Sequence, residues 1–146
     1  MPKAAWAAYF CAVSSLQHYF SNAAAVISYA PAGYVRLDWQ PVPTTAPELR
    51  AIYEHVLRAM RHHRATALMT VHNQRPPMPQ EVQAWLMEDW IPRAVATVDY
   101  GRCAIVQAGL PLSRLAARSV GAGQKTALNF RYFDTEATAD AWLRTA

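Results

Sequence analysis

The stretch from Arg64 to Ala94 constrains the fold of this chain more than any other, because it reads as strand, loop and helix in direct succession. Residues 65–71 are a short apolar run with the length and flanks of a buried strand. His72, Asn73, Gln74 and Arg75 follow as a polar loop, and Pro76-Pro77-Met78-Pro79 turns the chain again. Val82, Trp85, Leu86 and Trp90 then recur on or near one side of a helix. This is the unit from which α/β domains are built, and ligand sites in such domains favour the loop at a strand's carboxyl end.

The flanking sequence extends the pattern in both directions. Residues 26–29 read as a strand, residues 30–33 as a turn, and residues 34–40 as the returning strand, in which Val35, Leu37 and Trp39 alternate with Arg36, Asp38 and Gln40. That alternation predicts a strand with one wet face. Thr44 and Thr45 are placed to start a helix whose Leu49, Ile52, Tyr53, Val56, Leu57 and Met60 form one apolar face. Pro92, with no amide hydrogen, predicts an end or a kink in the helix that carries Trp85. Residues 102–107 are another strand. Pro111 opens a helix with Leu112, Leu115, Ala116 and Val120 inward, broken at Gly121-Ala122-Gly123. Leu128, Phe130 and Tyr132 alternate in a last strand over 128–133, and Asp134 or Thr135 caps a final helix with Ala139, Trp142 and Leu143 inward. The order β-β-α-β-α-β-α-β-α predicts an α/β domain over residues 21–146 with a mixed, largely parallel sheet of about five strands.

Ahead of that domain the sequence is unusual. Between Lys3 and Arg36 there is no Lys, Arg, Asp or Glu. Trp6, Tyr9, Phe10 and Val13 recur at helical spacing, and Leu16, Tyr19 and Phe20 carry the stripe onward, so residues 1–20 are expected to form a helical extension. An uncharged aromatic stripe of this kind is expected to be covered, either by its own sheet or by a second subunit, and a homodimer interface through Trp6, Tyr9, Phe10 and Val13 is the expectation. Residues 4–16 could also pass for the apolar part of an export signal, with Ala23-Ala24-Ala25 as a small-residue cleavage site. A single leading lysine and the interruption by Gln17 and His18 favour a cytoplasmic protein instead. Cys11 and Cys103, without metal-ligand spacing, are expected as free thiols. No apolar run approaches the ~18–20 residues a membrane span needs.

Four patches carry a family resemblance: Tyr19-Phe20-Ser21-Asn22 leading into Val26-Ile27-Ser28-Tyr29; residues 35–39 closing the hairpin; residues 80–90 with the pair Trp85-Leu86; and Phe133-Asp134 followed by Ala141-Trp142-Leu143. Together with the order of elements, they resemble the STAS domain of bacterial anti-sigma-factor antagonists. More closely, they resemble the small bacterial STAS-like proteins that are also likened to the CRAL–TRIO lipid-binding domain. The resemblance implies a STAS-like fold and a regulatory or protein-binding role. The antagonists carry a phosphorylatable serine where the third strand meets the second helix. Residues 71–90 here hold no Ser, Thr or Tyr, so that switch is not carried over. The closer relatives often place an aspartate at the end of that strand, where this chain has Val71-His72-Asn73.

Little in the sequence points to catalysis. There is no phosphate-binding glycine loop in a strand-to-helix context, no nucleophile elbow, and no carboxylate pair on one helix face, since Glu88 and Asp89 diverge. His72, Asn73 and Arg75 are the candidate rim of a ligand or partner site, with Arg75 suited to an anion. His55 and His62 are about two helical turns apart, His62 and His63 point in different directions, and no Cys, Asp or Glu completes a plausible ligand set beside them, so no metal is expected, and no cofactor. Arg58, Arg61, His62, His63 and Arg64 form the strongest basic cluster, at a helix end where cations interact favourably with the dipole. No surface interleaving aromatic and basic residues is evident beside it, so nucleic acid is not the expected partner. With 53% apolar and 16% charged residues, the chain is that of a folded domain. The functional expectation is a non-enzymatic STAS-like regulatory or protein-interaction module, with the binding of a small apolar, lipid-like molecule as the alternative.

Overall fold

Strand alternation and helix periodicity resolve into one sheet with helices on both faces. The computed structural model describes residues 16–72, 78–106, 115, 118–120 and 122–145. Its strands are β1 (Gln17–Ser21), β2 (Ala25–Ala30), β3 (Tyr34–Trp39), β4 (Ala67–His72), β5 (Arg102–Val106) and β6 (Asn129–Phe133). They lie side by side in sequence order. The pairs β1–β2 and β2–β3 are antiparallel, whereas β3–β4, β4–β5 and β5–β6 are parallel. The expected mixed α/β class holds. Among the described residues the sheet has six strands where about five were expected, and the additional one is β1.

That strand corrects the expectation of a helix through residue 20. Leu16, Tyr19 and Phe20 fit a helical stripe by spacing, but Gln17–Ser21 is extended and pairs with β2, with a register shift between His18 and Phe20. Hydrogen bonding to a neighbouring strand outweighs a local pattern that fits either structure. The bulge turns both Tyr19 and Phe20 towards α1 (Ala46–His63), against its histidine rings. Trp6, Tyr9, Phe10 and Val13 lie outside the described residues.

Helix α1 begins where the sequence allows. Thr45 is its N-cap, accepting from the Glu48 amide while the Glu48 carboxylate reaches back, which satisfies two otherwise orphaned donors. Its buried residues include Leu49, Ile52, Tyr53, Val56, Leu57 and Met60, the face the spacing predicted. Arg64 ends it in the left-handed region at φ 54°. In the β2–β3 turn that region falls to Gly33, at φ 109°, where the missing Cβ removes the strain.

Pro92 does not terminate its helix. Helix α2 (Gln80–Trp85) passes through a π-helical turn, Leu86–Trp90, directly into α3 (Ile91–Val98). The Ile91 amide bonds the Leu86 carbonyl, five residues back, and this wider turn lets the chain run on through a residue with no amide hydrogen. Trp90 is buried there, whereas Trp85, expected on the same apolar side, is only half-buried.

The larger core joins Ile27, Leu37, Leu68 and Ile105 of the sheet to α1, α2, the π turn and α3. On the opposite face Ala30, Tyr34, Met69, Val71, Ala104 and Val106 pack with Ala139 and Leu143 of α4 (Glu136–Leu143), whose N-cap is Thr135. Trp142, expected inward, is half-buried at the margin of this cluster. The polar side of β3 is not wet as alternation suggested. Arg36 is buried there, paired with Asp38 at 2.8 Å and with Glu136 of α4. Tyr34 donates to Asp140 of α4, whose other carboxylate oxygen pairs with Arg144 at 2.7 Å. Burial, reinforced by the bond to Asp140, holds the Tyr34 hydroxyl far above its ordinary range. Leu115, expected inward, is exposed, whereas Val120 is buried. Residues 118–120 and Ala122 and Gly123 are helical, where the sequence predicted a break, and Gly123 lies against the Met87 side chain, whose sulfur would have to move for any Cβ there.

Candidate functional site

The period of two in β4 puts Leu68, Thr70 and His72 on the face covered by α2 and α3, and the same alternation in β5 adds Cys103 and Ile105. The helical layer contributes Leu86, Trp90 and Ile91, α1 contributes Tyr53, and Tyr100 enters from just before β5. Phe130 of β6 and Val120 close the far side. Between them lies a cavity of about 40 Å³. Its walls are aromatic. Trp90 meets Tyr53 edge-on at 5.1 Å between ring centroids and Tyr100 at 5.7 Å, and its indole N–H donates to the Tyr53 carbonyl at 2.9 Å.

A short polar chain runs down the strand wall. The His72 ring lies 3.1 Å from the Thr70 hydroxyl. Thr70 and Tyr100 both hydrogen-bond the Cys103 thiol. Burial pushes that thiol up to about 12, against the opposing pull of these two hydroxyls. Tyr100 is raised well above its ordinary range by burial first and by Cys103 second. A thiol held this way stays protonated at neutral pH and is a poor nucleophile. The arrangement is chemically quiet, because each hydroxyl and the thiol has a partner within the chain.

His72 is the one predicted rim residue that the structure places. It closes β4, paired in register with Trp39, rather than opening a loop, and it stands half-buried over the cavity. Asn73 and Arg75, with Gln74, lie outside the described residues. Thr70, Tyr100 and Cys103 were not singled out for this site. The first shares the strand period of His72 and was legible from it, whereas Tyr100 precedes its strand and carries no periodic signal.

A second array was missed. The β1–β2 hairpin presents Tyr19, Phe20 and Tyr29 to α1. Phe20 stacks on His55 at 4.1 Å, and Tyr29 stacks on His63 at 4.1 Å with the two ring planes parallel to within 1°. Tyr19 lies 6.1 Å from His62, whose ring is edge-on to His63 at 4.7 Å. Aromatic and basic residues do interleave beside the cluster at the end of α1, contrary to the sequence expectation, because strands far apart from α1 in sequence supply the aromatics. Burial, and then His62, lowers the His63 pKa. Among the described residues no group of three or more His, Cys, Asp or Glu side chains is placed to hold a metal ion. No described helix is long and apolar enough to cross a membrane.

The chain matches no family model, no curated protein and no solved structure.

Proposed function

We propose that the protein is a non-enzymatic, STAS-like protein-interaction module of the cytoplasm whose first partner is a second copy of itself. The observation that carries this reading is the outer strand β1. It pairs with β2 on one side only among the described residues, and it bears no Lys, Arg, Asp or Glu. It also continues directly from the segment containing Trp6, Tyr9, Phe10 and Val13. An uncharged sheet edge joined to an uncharged aromatic segment is apolar and hydrogen-bonding surface that association would cover. The interior supports a non-catalytic role, since Cys103 is held as a thiol and its polar neighbours bond one another.

A second reading rests on the cavity. Its aromatic walls suit a small apolar ligand, although about 40 Å³ is far below the ~300–1,000 Å³ of ordinary small-molecule sites. Native mass spectrometry of freshly purified protein separates the two. A dimer without a retained small molecule is expected, whereas a monomer carrying one would transfer the function to the cavity.

A further inference from the structure

The described arginines differ in what holds them: Arg102 bonds the carbonyls of Trp142 and Thr145, and Arg118 and Arg131 lie over the Tyr132 and Trp142 rings. Arg36, Arg93 and Arg144 are held by carboxylates: Arg36 by Asp38 and Glu136, Arg93 by Glu54 and Asp89, and Arg144 by Asp140. Arg58, Arg61 and Arg64, on the last turns and cap of α1, are exposed and form no ion pair among the described residues. Glu54, the carboxylate nearest in sequence to Arg58, is engaged by Arg93 through both oxygens. The helix carboxyl terminus attracts Arg61 in its last turn, and Glu54 attracts Arg58 across one turn without forming an ion pair, so neither guanidinium has a carboxylate of its own.

The surface also has a shape. Arg61 and Arg64 border a groove of about 290 Å³ between the carboxyl ends of α1 and α3, with Thr66, Thr97, Val98 and Asp99 along its other wall. Asp99 is the acid of this groove, yet it forms no ion pair with either arginine among the described residues. Thr97 already donates its hydroxyl to the Arg93 carbonyl at 2.6 Å, whereas Thr66 is exposed.

We propose that this ridge and groove dock an acidic protein segment, one carboxylate entering the groove between Arg61 and Arg64 and a second meeting Arg58. The planar fork of a guanidinium matches a carboxylate through two parallel hydrogen bonds, and three such forks spread over residues 58–64 span about 9 Å along the helix. That reach suits two or three acidic side chains of one extended peptide. The neighbouring aromatic rings are already stacked on His55 and His63, so they offer no open platform for bases. The proposal does not depend on self-association.

The test uses the full chain and fluorescence anisotropy at low salt, with a labelled glutamate-rich peptide and a labelled thymidine oligonucleotide of equal charge as probes. The peptide is expected to bind more tightly than the oligonucleotide, and to weaken as salt screens the contact. The double substitution Arg61→Glu with Arg64→Glu should lower peptide affinity by at least about tenfold. Asp99→Asn should raise it, because it removes the one repelling carboxylate of the groove. All three positions are exposed, so the thermal midpoints of these variants serve as a folding control, and sedimentation shows whether the oligomeric state is unchanged. No peptide binding at low salt, tighter binding of the oligonucleotide, or peptide affinity indifferent to the arginine reversals would each overturn the proposal.

Discussion

Replacing Trp90 with alanine tests how the helical layer is held to the sheet. The residue is 1% exposed and fills the space between Tyr53 and Tyr100. A tryptophan buries ~200 Å² of surface, which at ~25 cal/mol per Å² corresponds to ~5 kcal/mol. Because an unfolded chain already hides part of that area, the figure is an upper estimate. Losing the bond to the Tyr53 carbonyl adds about 1 kcal/mol. The expected loss is therefore ~3–5 kcal/mol, in line with large-to-small substitutions in cores. For a chain of this length that lowers the thermal midpoint by ~8–16 °C. Trp85→Ala is the paired control. Its ring is half-buried and 6.3 Å from Tyr53, so it should lose about half as much or less. Calorimetry of both variants decides. An unchanged midpoint for Trp90→Ala, or a larger drop for Trp85→Ala, would refute the assignment of Trp90 as the anchor of the π turn.

Other outcomes follow from the same structure. Asp140→Ala should destabilise by about 1–3 kcal/mol in urea unfolding, because it leaves the buried Tyr34 hydroxyl without its acceptor; a loss below about 0.5 kcal/mol would show the contact to be dispensable. Cys103, its thiol pushed up to about 12 by burial, should resist alkylation in the native protein at neutral pH and react only on unfolding; rapid labelling of the native chain at Cys103 would contradict the buried site. Because His63 has a lowered pKa in the fold, the unfolded chain takes up the proton first as pH falls through ~6.5. Its contribution to stability is therefore complete above that pH and is lost below it. Denaturation curves of the parent and His63→Gln across this window should show a shallower slope in the variant, and an identical slope would remove His63 from the account.

The sequence made some of this fold legible and hid the rest for physical reasons. The apolar face of α1 was readable because six residues share one helical period and a capping threonine precedes them. The hairpin of β2 and β3 was readable from alternation and a turn containing Gly33. β1 was not, because Leu16, Tyr19 and Phe20 satisfy helical spacing while the partner that makes them a strand lies at Ala25–Ala30. The wet face assigned to β3 failed likewise, since Arg36 is buried by Glu136, one hundred residues away. Pro92 signalled a break, and a π turn absorbed it. Of the candidate site, His72 was found at the strand's end, but the Cys103–Thr70–Tyr100 contacts depend on the packing of β5 beside β4, which no local pattern reports.

The central claim is that the uncharged amino-terminal segment and the outer strand β1 belong to an interface between two copies of the chain. Sedimentation velocity of the full-length protein over micromolar concentrations tests it most directly. A dimer is expected throughout the upper part of that range, converting to a folded monomer when residues 1–15 are removed. A full-length protein that sediments as a monomer at every concentration would contradict the claim and assign the segment to the protein's own core.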